Sequence, residues 1–92
     1  MKFTNDLYFK KKILIYGLGI SGISCLNYLK KNNLVKCFDD NKSNLKHKKF
    51  KKYLISKKKI TKFNFDHIIM SPGINILQCS LKNYIKKNKS KV

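Results

Sequence analysis

The sequence predicts an α/β domain, a parallel sheet flanked by helices. Two observations carry that reading. An apolar run, Ile13-Leu14-Ile15-Tyr16, enters the glycine cluster Gly17-Leu18-Gly19-Ile20-Ser21-Gly22, and a helix-like pattern follows at once from Ile23 to Leu29. Beyond it, strand-like and helix-like segments keep alternating, joined by short turns. Strands that alternate with helices pair in parallel through right-handed crossovers, which place the helices on the faces of the sheet.

The elements follow in order. Lys12 to Tyr16 reads as a buried strand. Residues 21–31 place Ile23, Leu26, Tyr28 and Leu29 at helical spacing. Asn32-Asn33 ends that helix, with Asn expected in a left-handed cap. Residues 34–39 form a second strand, rich in Val, Phe and Cys. Residues 43–55 predict a short lysine-rich helix, with Leu45, Phe50, Tyr53 and Leu54 along one side. A short strand is expected over 59–63 and a stronger one over 65–70, closing on Ser71-Pro72-Gly73. Residues 80–88 read as a helix with Leu81, Tyr84 and Ile85 on one face, and 90–92 as the start of a further strand.

Composition bounds the function. Ninety-two residues with 42% hydrophobic content make a single domain with a modest core. No apolar run approaches the roughly 18–20 residues that cross a bilayer. The N-terminus lacks a secretory h-region, so a cytoplasmic location without membrane attachment is expected. The net charge is +18, and every basic residue is lysine. Arginine, alanine and tryptophan are absent, while Asn, Ile, Phe and Tyr are abundant. That bias reads as AT-rich codon usage rather than as nucleic-acid binding, which favours the bidentate contacts of arginine. Cys25, Cys37 and Cys79 form no C-x-x-C pair, so no disulfide framework or zinc site is expected. Cys25 and Cys37 read as small buried hydrophobes. His47 reads as exposed and His67 as the opening of a strand. Neither has a carboxylate or nucleophile spaced with it for catalysis.

The glycine cluster carries the chemistry. Spaced G-x-G-x-x-G between a strand and a helix, it is the way a phosphate-binding turn is written in a Rossmann-like fold. Gly17 turns the chain, Gly19 clears the approach of a diphosphate, and Gly22 brings helix and strand together. Free N–H groups and the dipole at the helix start attract the anion. About 20 residues on, Asp39-Asp40 falls where an acidic residue meets a ribose hydroxyl or base edge. Ser71-Pro72-Gly73-Ile74 follows the strand that ends at Met70, and by itself reads as an ordinary turn. The loops 17–22, 39–41 and 71–74 all lie at carboxyl ends of strands, where such sheets bind ligands, and are expected to face one crevice.

Together, Gly17 to Cys25, Phe38-Asp39-Asp40 and Ser71-Pro72-Gly73-Ile74 resemble the N-terminal domain of the Mur ligases. The resemblance spans residues 12–92, with 1–11 as an N-terminal extension. Within that family the pattern is nearest to the members that add D-glutamate to UDP-N-acetylmuramoyl-L-alanine in peptidoglycan synthesis. The resemblance implies a Rossmann-like domain that anchors the UDP portion of that substrate and does not hold NAD. It implies that Gly19, Ile20 and Ser21 meet the diphosphate, through backbone N–H groups and the Ser21 hydroxyl. It places Asp39 and Asp40 at the uracil end with Ile20 nearby, and Ser71, Pro72 and Gly73 on the other side of the uridine. Asn41 stands where relatives place a basic residue, and keeps a donor without the charge. Asn33 stands where the family pattern has glycine.

The family's central ATPase domain and C-terminal domain are missing from these residues. No G-x-x-x-x-G-K-[ST] phosphate loop occurs, and the four acidic residues, Asp6, Asp39, Asp40 and Asp66, make no recognisable metal cluster. The chain is therefore expected to carry no catalytic, cofactor-binding or metal-binding residues, ATP and Mg²⁺ belonging to the missing domains. It reads as an inactive, monomeric fragment of a ligase that binds UDP-N-acetylmuramoyl-L-alanine. The interrupted strand at 90–92 supports the fragment reading. The alternatives are a Rossmann-type regulatory module for NAD or another nucleotide, a basic nucleic-acid binder, and the L-alanine-adding Mur ligase.

Overall fold

The computed structural model describes residues 10–41, 48–75 and 77–92. Three strands make one parallel sheet: β1 (Lys12–Tyr16), β2 (Leu34–Phe38) and β3 (His67–Met70). Their order is β2-β1-β3, so the first strand lies in the middle. Ile13 stands opposite Val35 on one side and His67 on the other, and Tyr16 opposite Phe38 and Met70. The central position explains the composition of β1. Ile13, Leu14, Ile15 and Tyr16 are all buried, because helices cover both faces of the strand.

The side chains of β1 alternate between two cores. Ile13 and Ile15 join Val35 and Cys37 beneath α1 (Ile20–Leu29), which contributes Leu26 and Leu29. Leu14 and Tyr16 face the opposite layer, with Ile68 and Phe65, Ile60 of α2 (Lys57–Lys62), and Leu81 and Ile85 at α3 (Lys82–Lys87). The sheet is thus sandwiched between helices, as an α/β domain requires.

Where the structure departs from expectation, side chains decide. Residues 57–62 form a helix, not the strand expected over 59–63. The Ser56 side chain accepts the Lys59 N–H as an N-cap, and only Ile60 of that helix is buried, a one-sided pattern that a turn of helix satisfies. The segment expected as a helix over 43–55 contains a 3-10 helix, Lys48–Tyr53, after which Leu54 bridges to Cys37. Residues 42–47, with Leu45 and His47, lie outside the described residues, as do 1–9. Residues 90–92 start no strand. Lys89–Lys91 is a 3-10 turn after α3, so the argument built on an interrupted strand falls away. Cys25 is half-buried rather than buried.

Asn33 does not take a left-handed conformation, since Lys10 is the one non-glycine residue with positive φ among those described. It works through its side chain instead. Its amide donates to the Leu29 carbonyl at 3.0 Å and its oxygen accepts the Lys11 N–H at 3.0 Å. One residue thereby closes the end of α1 and ties it to the approach to β1.

Candidate functional site

The strand order fixes where a site can form. The chain leaves β1 toward β2 on one side and later returns to β3 on the other. The carboxyl end of β1 is therefore the switch point, where open α/β sheets hold ligands. Three loops converge there, held by short bonds. Gly17 N–H donates to the Phe38 carbonyl at 2.8 Å, Leu18 N–H to the Asp39 carboxylate at 2.7 Å, and Ser71 N–H to the Tyr16 carbonyl at 2.9 Å.

Two glycines make the turn possible. Gly17 has φ of +106°, and a Cβ there would lie 2.5 Å from Ser71 Cβ. It supplies the turn and also lets the third loop close against the first. A Cβ on Gly22 would overlap the Gly17 carbonyl oxygen, so this glycine lets helix and strand meet. Gly19 differs from both, because a Cβ there would meet nothing within 4 Å. It is exposed, as are Ser21, Pro72 and Gly73.

The N-terminus of α1 opens on this space. Gly19 is its N-cap, no side chain caps it, and its first turn holds no acidic residue. The first N–H groups of a helix have no intrahelical acceptor and carry the positive end of the dipole. The arrangement can hold an anion.

The two carboxylates have other duties. Asp39 accepts Leu18 N–H through one oxygen and Asn41 N–H through the other, at 2.8 Å, which shapes the turn after β2. Asp40 accepts the Tyr16 hydroxyl at 2.5 Å, the Ser80 N–H at 3.2 Å and the Ser80 hydroxyl. Partial burial pushes the Asp40 carboxyl up, but the Ser80 and Tyr16 bonds and the charge of Lys57 outweigh it and bring the group below its ordinary value. Burial, followed by the bond to Asp40, pushes the Tyr16 hydroxyl well above the ordinary tyrosine range. Sequence reasoning singled out neither Tyr16 nor Ser80 as part of this site. Tyr16 read as one more strand residue, and Ser80 lies 40 positions from its partner.

The sequence that builds the glycine turn and the two later loops has a match. The sequence model of the family described as "Mur ligase MurD-like, N-terminal domain" matches residues 11–92. The chain belongs to that family. It is 42% identical over 73 residues to a UDP-N-acetylmuramoylalanine--D-glutamate ligase of Buchnera aphidicola subsp. Schizaphis graminum (strain Sg), an alignment covering 74% of this chain and 17% of the relative. It is 38% identical over 88 residues to the enzyme of the same name from Buchnera aphidicola subsp. Baizongia pistaciae (strain Bp), covering 88% of this chain and 20% of the relative. The chain thus spans a fifth or less of the length of these curated relatives. No solved structure matches.

Gly19, Ile20 and Ser21 stand at the start of α1, Asp39 to Asn41 directly after β2, and Ser71 to Gly73 directly after β3. All three groups follow carboxyl ends of strands, and the bonds to Gly17, Leu18 and Tyr16 hold Phe38, Asp39 and Ser71 beside the turn. Among the described residues no three His, Cys, Asp or Glu side chains gather where they could hold a metal ion, and no helix is long and apolar enough to cross a membrane. The sequence holds no G-K-[ST] phosphate loop.

Proposed function

We propose that this chain is the nucleotide anchor of a D-glutamate-adding Mur ligase. It holds the UDP portion of UDP-N-acetylmuramoyl-L-alanine while the ATP- and Mg²⁺-dependent amide bond is formed by further domains. The observation that carries the reading is the start of α1, bonded by no side chain, beside the open side of Gly19, at the switch point of the sheet. The diphosphate lies against the N–H groups of Gly19, Ile20 and Ser21 and the Ser21 hydroxyl. The uracil end meets the loop Asp39-Asp40-Asn41, and Ser71, Pro72 and Gly73 form the opposite wall. The family membership and the names of the two Buchnera relatives support the choice of substrate. A net charge of +18 adds a long-range attraction for the anion at low salt.

These residues bind and orient. They supply no nucleophile, base or metal ligand to the reaction, and the chain is expected to be inactive alone, monomeric and cytoplasmic. The test is an NMR titration of the 92-residue chain with UDP. Shifts should concentrate at the amides of Gly19 to Ser21, Asp39 to Asn41 and Ser71 to Gly73. Shifts spread over lysines and equal for any polyanion would overturn the reading. Tighter binding of NAD than of UDP in a parallel calorimetric series would replace it with a dinucleotide module.

A further inference from the structure

Asp40 occupies a position where sequence reasoning expects a ligand contact, yet its carboxylate is already engaged by three donors. One oxygen takes the Tyr16 hydroxyl and the Ser80 N–H, and the other takes the Ser80 hydroxyl. An ionised carboxylate has about four acceptor positions, so little capacity remains for a nucleotide. The donors come from distant parts of the chain. Tyr16 ends the central strand, and Ser80 lies at the far end of the segment that begins with Ser71-Pro72-Gly73.

Tyr16 touches that segment at both ends. Its carbonyl accepts Ser71 N–H at 2.9 Å, and its hydroxyl reaches Ser80 through Asp40. The ring is fully buried and stacks obliquely on Phe38, with centroids 5.8 Å apart and planes at 57°. A buried tyrosine hydroxyl needs a partner, and Asp40 provides it. Ile74 and Cys79 pack against the core, but the described residues between them, Asn75, Leu77 and Gln78, are exposed. Leu77 is 82% exposed, and the bonds there are local: Ile74 N–H to the Ser71 carbonyl, Leu77 N–H to the Asn75 side chain and Gln78 N–H to the Asn75 carbonyl. An exposed stretch of this kind depends on what flanks it for its position.

We propose that Asp40 is a positioning residue, a latch whose carboxylate joins Tyr16 to Ser80 and so fixes the 71–80 segment as a wall of the crevice, leaving only the backbone of its loop to meet the nucleotide. Its consequence for UDP rests on the function proposed above, whereas the latch itself rests on geometry.

The experiment uses the 92-residue chain with two readouts, amide hydrogen exchange without ligand and UDP affinity. The substitutions are Tyr16→Phe, which keeps the buried ring, Ser80→Ala and Asp40→Ala. Amides at Ile74, Leu77 and Ser80 should exchange about 5- to 10-fold faster in each variant, the loss expected for a charged hydrogen bond near the surface. Amides at Leu14 and Val35 should not change. UDP should bind about 3- to 10-fold more weakly to Tyr16→Phe and to Ser80→Ala, and adding Asp40→Ala to the pair should cost less than about 2-fold more, since the three act as one unit. Ser80→Thr, which retains the hydroxyl, should restore both readouts. If Asp40→Ala weakens UDP binding while Tyr16→Phe and Ser80→Ala leave binding and exchange unchanged, Asp40 contacts the ligand and the latch is wrong. If the unsubstituted chain binds no UDP, the nucleotide reading fails and exchange alone decides the latch. Acceleration confined to 71–80 upholds it, while uniform or absent acceleration overturns it.

Discussion

The two ends of the sheet are built from the same materials and differ in what they leave open. At the amino end, Asp66 accepts Lys12 N–H at 2.8 Å and returns its own N–H to the Lys12 carbonyl at 2.7 Å. Asn33 there ties the last turn of α1 to Lys11. At the carboxyl end, Asp39 and Asp40 hold backbone and hydroxyl donors in a similar way. Carboxylates at both ends therefore act as staples of the fold. What differs is the helix. The C-terminal end of α1 is closed by a side chain, and at its N-terminal end, capped by Gly19, no side chain bonds the first turn. On the function proposed above, that difference, more than the acidic residues, marks where the diphosphate lies.

The largest expected effect comes from forcing helix and strand apart beneath the open end. Gly22→Ala would drive a methyl group into the Gly17 carbonyl, a backbone atom that cannot move without displacing the turn. A loss of about 3 kcal/mol or more is expected in urea unfolding, at the upper end of overpacking penalties. Gly17→Ala should cost less, about 2 kcal/mol, from the strain of a positive φ plus the clash with Ser71. If Gly22→Ala stays within about 0.5 kcal/mol of the unsubstituted chain, as an ordinary surface change would, the close meeting of helix and strand described here is wrong.

A second pair of substitutions separates the two ends of α1. Asn33→Ala removes two bonds to backbone groups and should cost about 1–2 kcal/mol of stability, with UDP affinity unchanged. Gly19→Ala should do the reverse. Its φ of −73° suits alanine and its Cβ would face open space, so stability should hold or rise by up to about 1 kcal/mol. UDP binding should nevertheless fall at least about 10-fold, because the methyl group fills the approach of the diphosphate. Equal effects of both changes on binding would erase the distinction between the closed and the open end.

What the sequence could reveal follows the range of the interactions. The glycine turn was legible because strand, turn and helix are local, and the needs for glycine at 17 and 22 arise within that span. The strands were legible from their buried runs, with Lys12–Tyr16 matching the observed bounds. The helix at 57–62 was not, because four lysines among six residues hide a pattern in which only Ile60 is buried. The role of Asn33 was half legible. Its place at the helix end could be read, but its side-chain bonds depend on Lys11 lying 22 positions away. The duty of Asp40 was illegible for the same reason. A carboxylate spaced to meet a ribose looks the same in sequence as one that meets Tyr16 and Ser80 across the fold.

The smallest effect compares the staples themselves under acid. The Lys12 N–H is the main cause that holds the Asp66 carboxyl below its ordinary value, and the charges of Lys11, Lys12 and His67 add to it. Asp40 is also lowered, with its hydroxyl bonds outweighing its partial burial. A carboxyl whose folded value lies below the unfolded one, near 3.9, stabilises the fold at neutral pH. That contribution is lost as pH falls from about 4 through the folded value. Urea midpoints of Asp66→Asn and Asp40→Asn should therefore differ from the unsubstituted chain at pH 7 and converge with it at low pH. Salt then separates the two ends. Asp66 is fully exposed, and the lysine part of its effect should shrink in 0.5 M salt, where screening acts within about 4–5 Å. The Asp40 effect rests mostly on hydrogen bonds to Tyr16 and Ser80 and should persist. If both differences vanish equally with salt, Asp40 is one more surface charge and the carboxyl end has no latch.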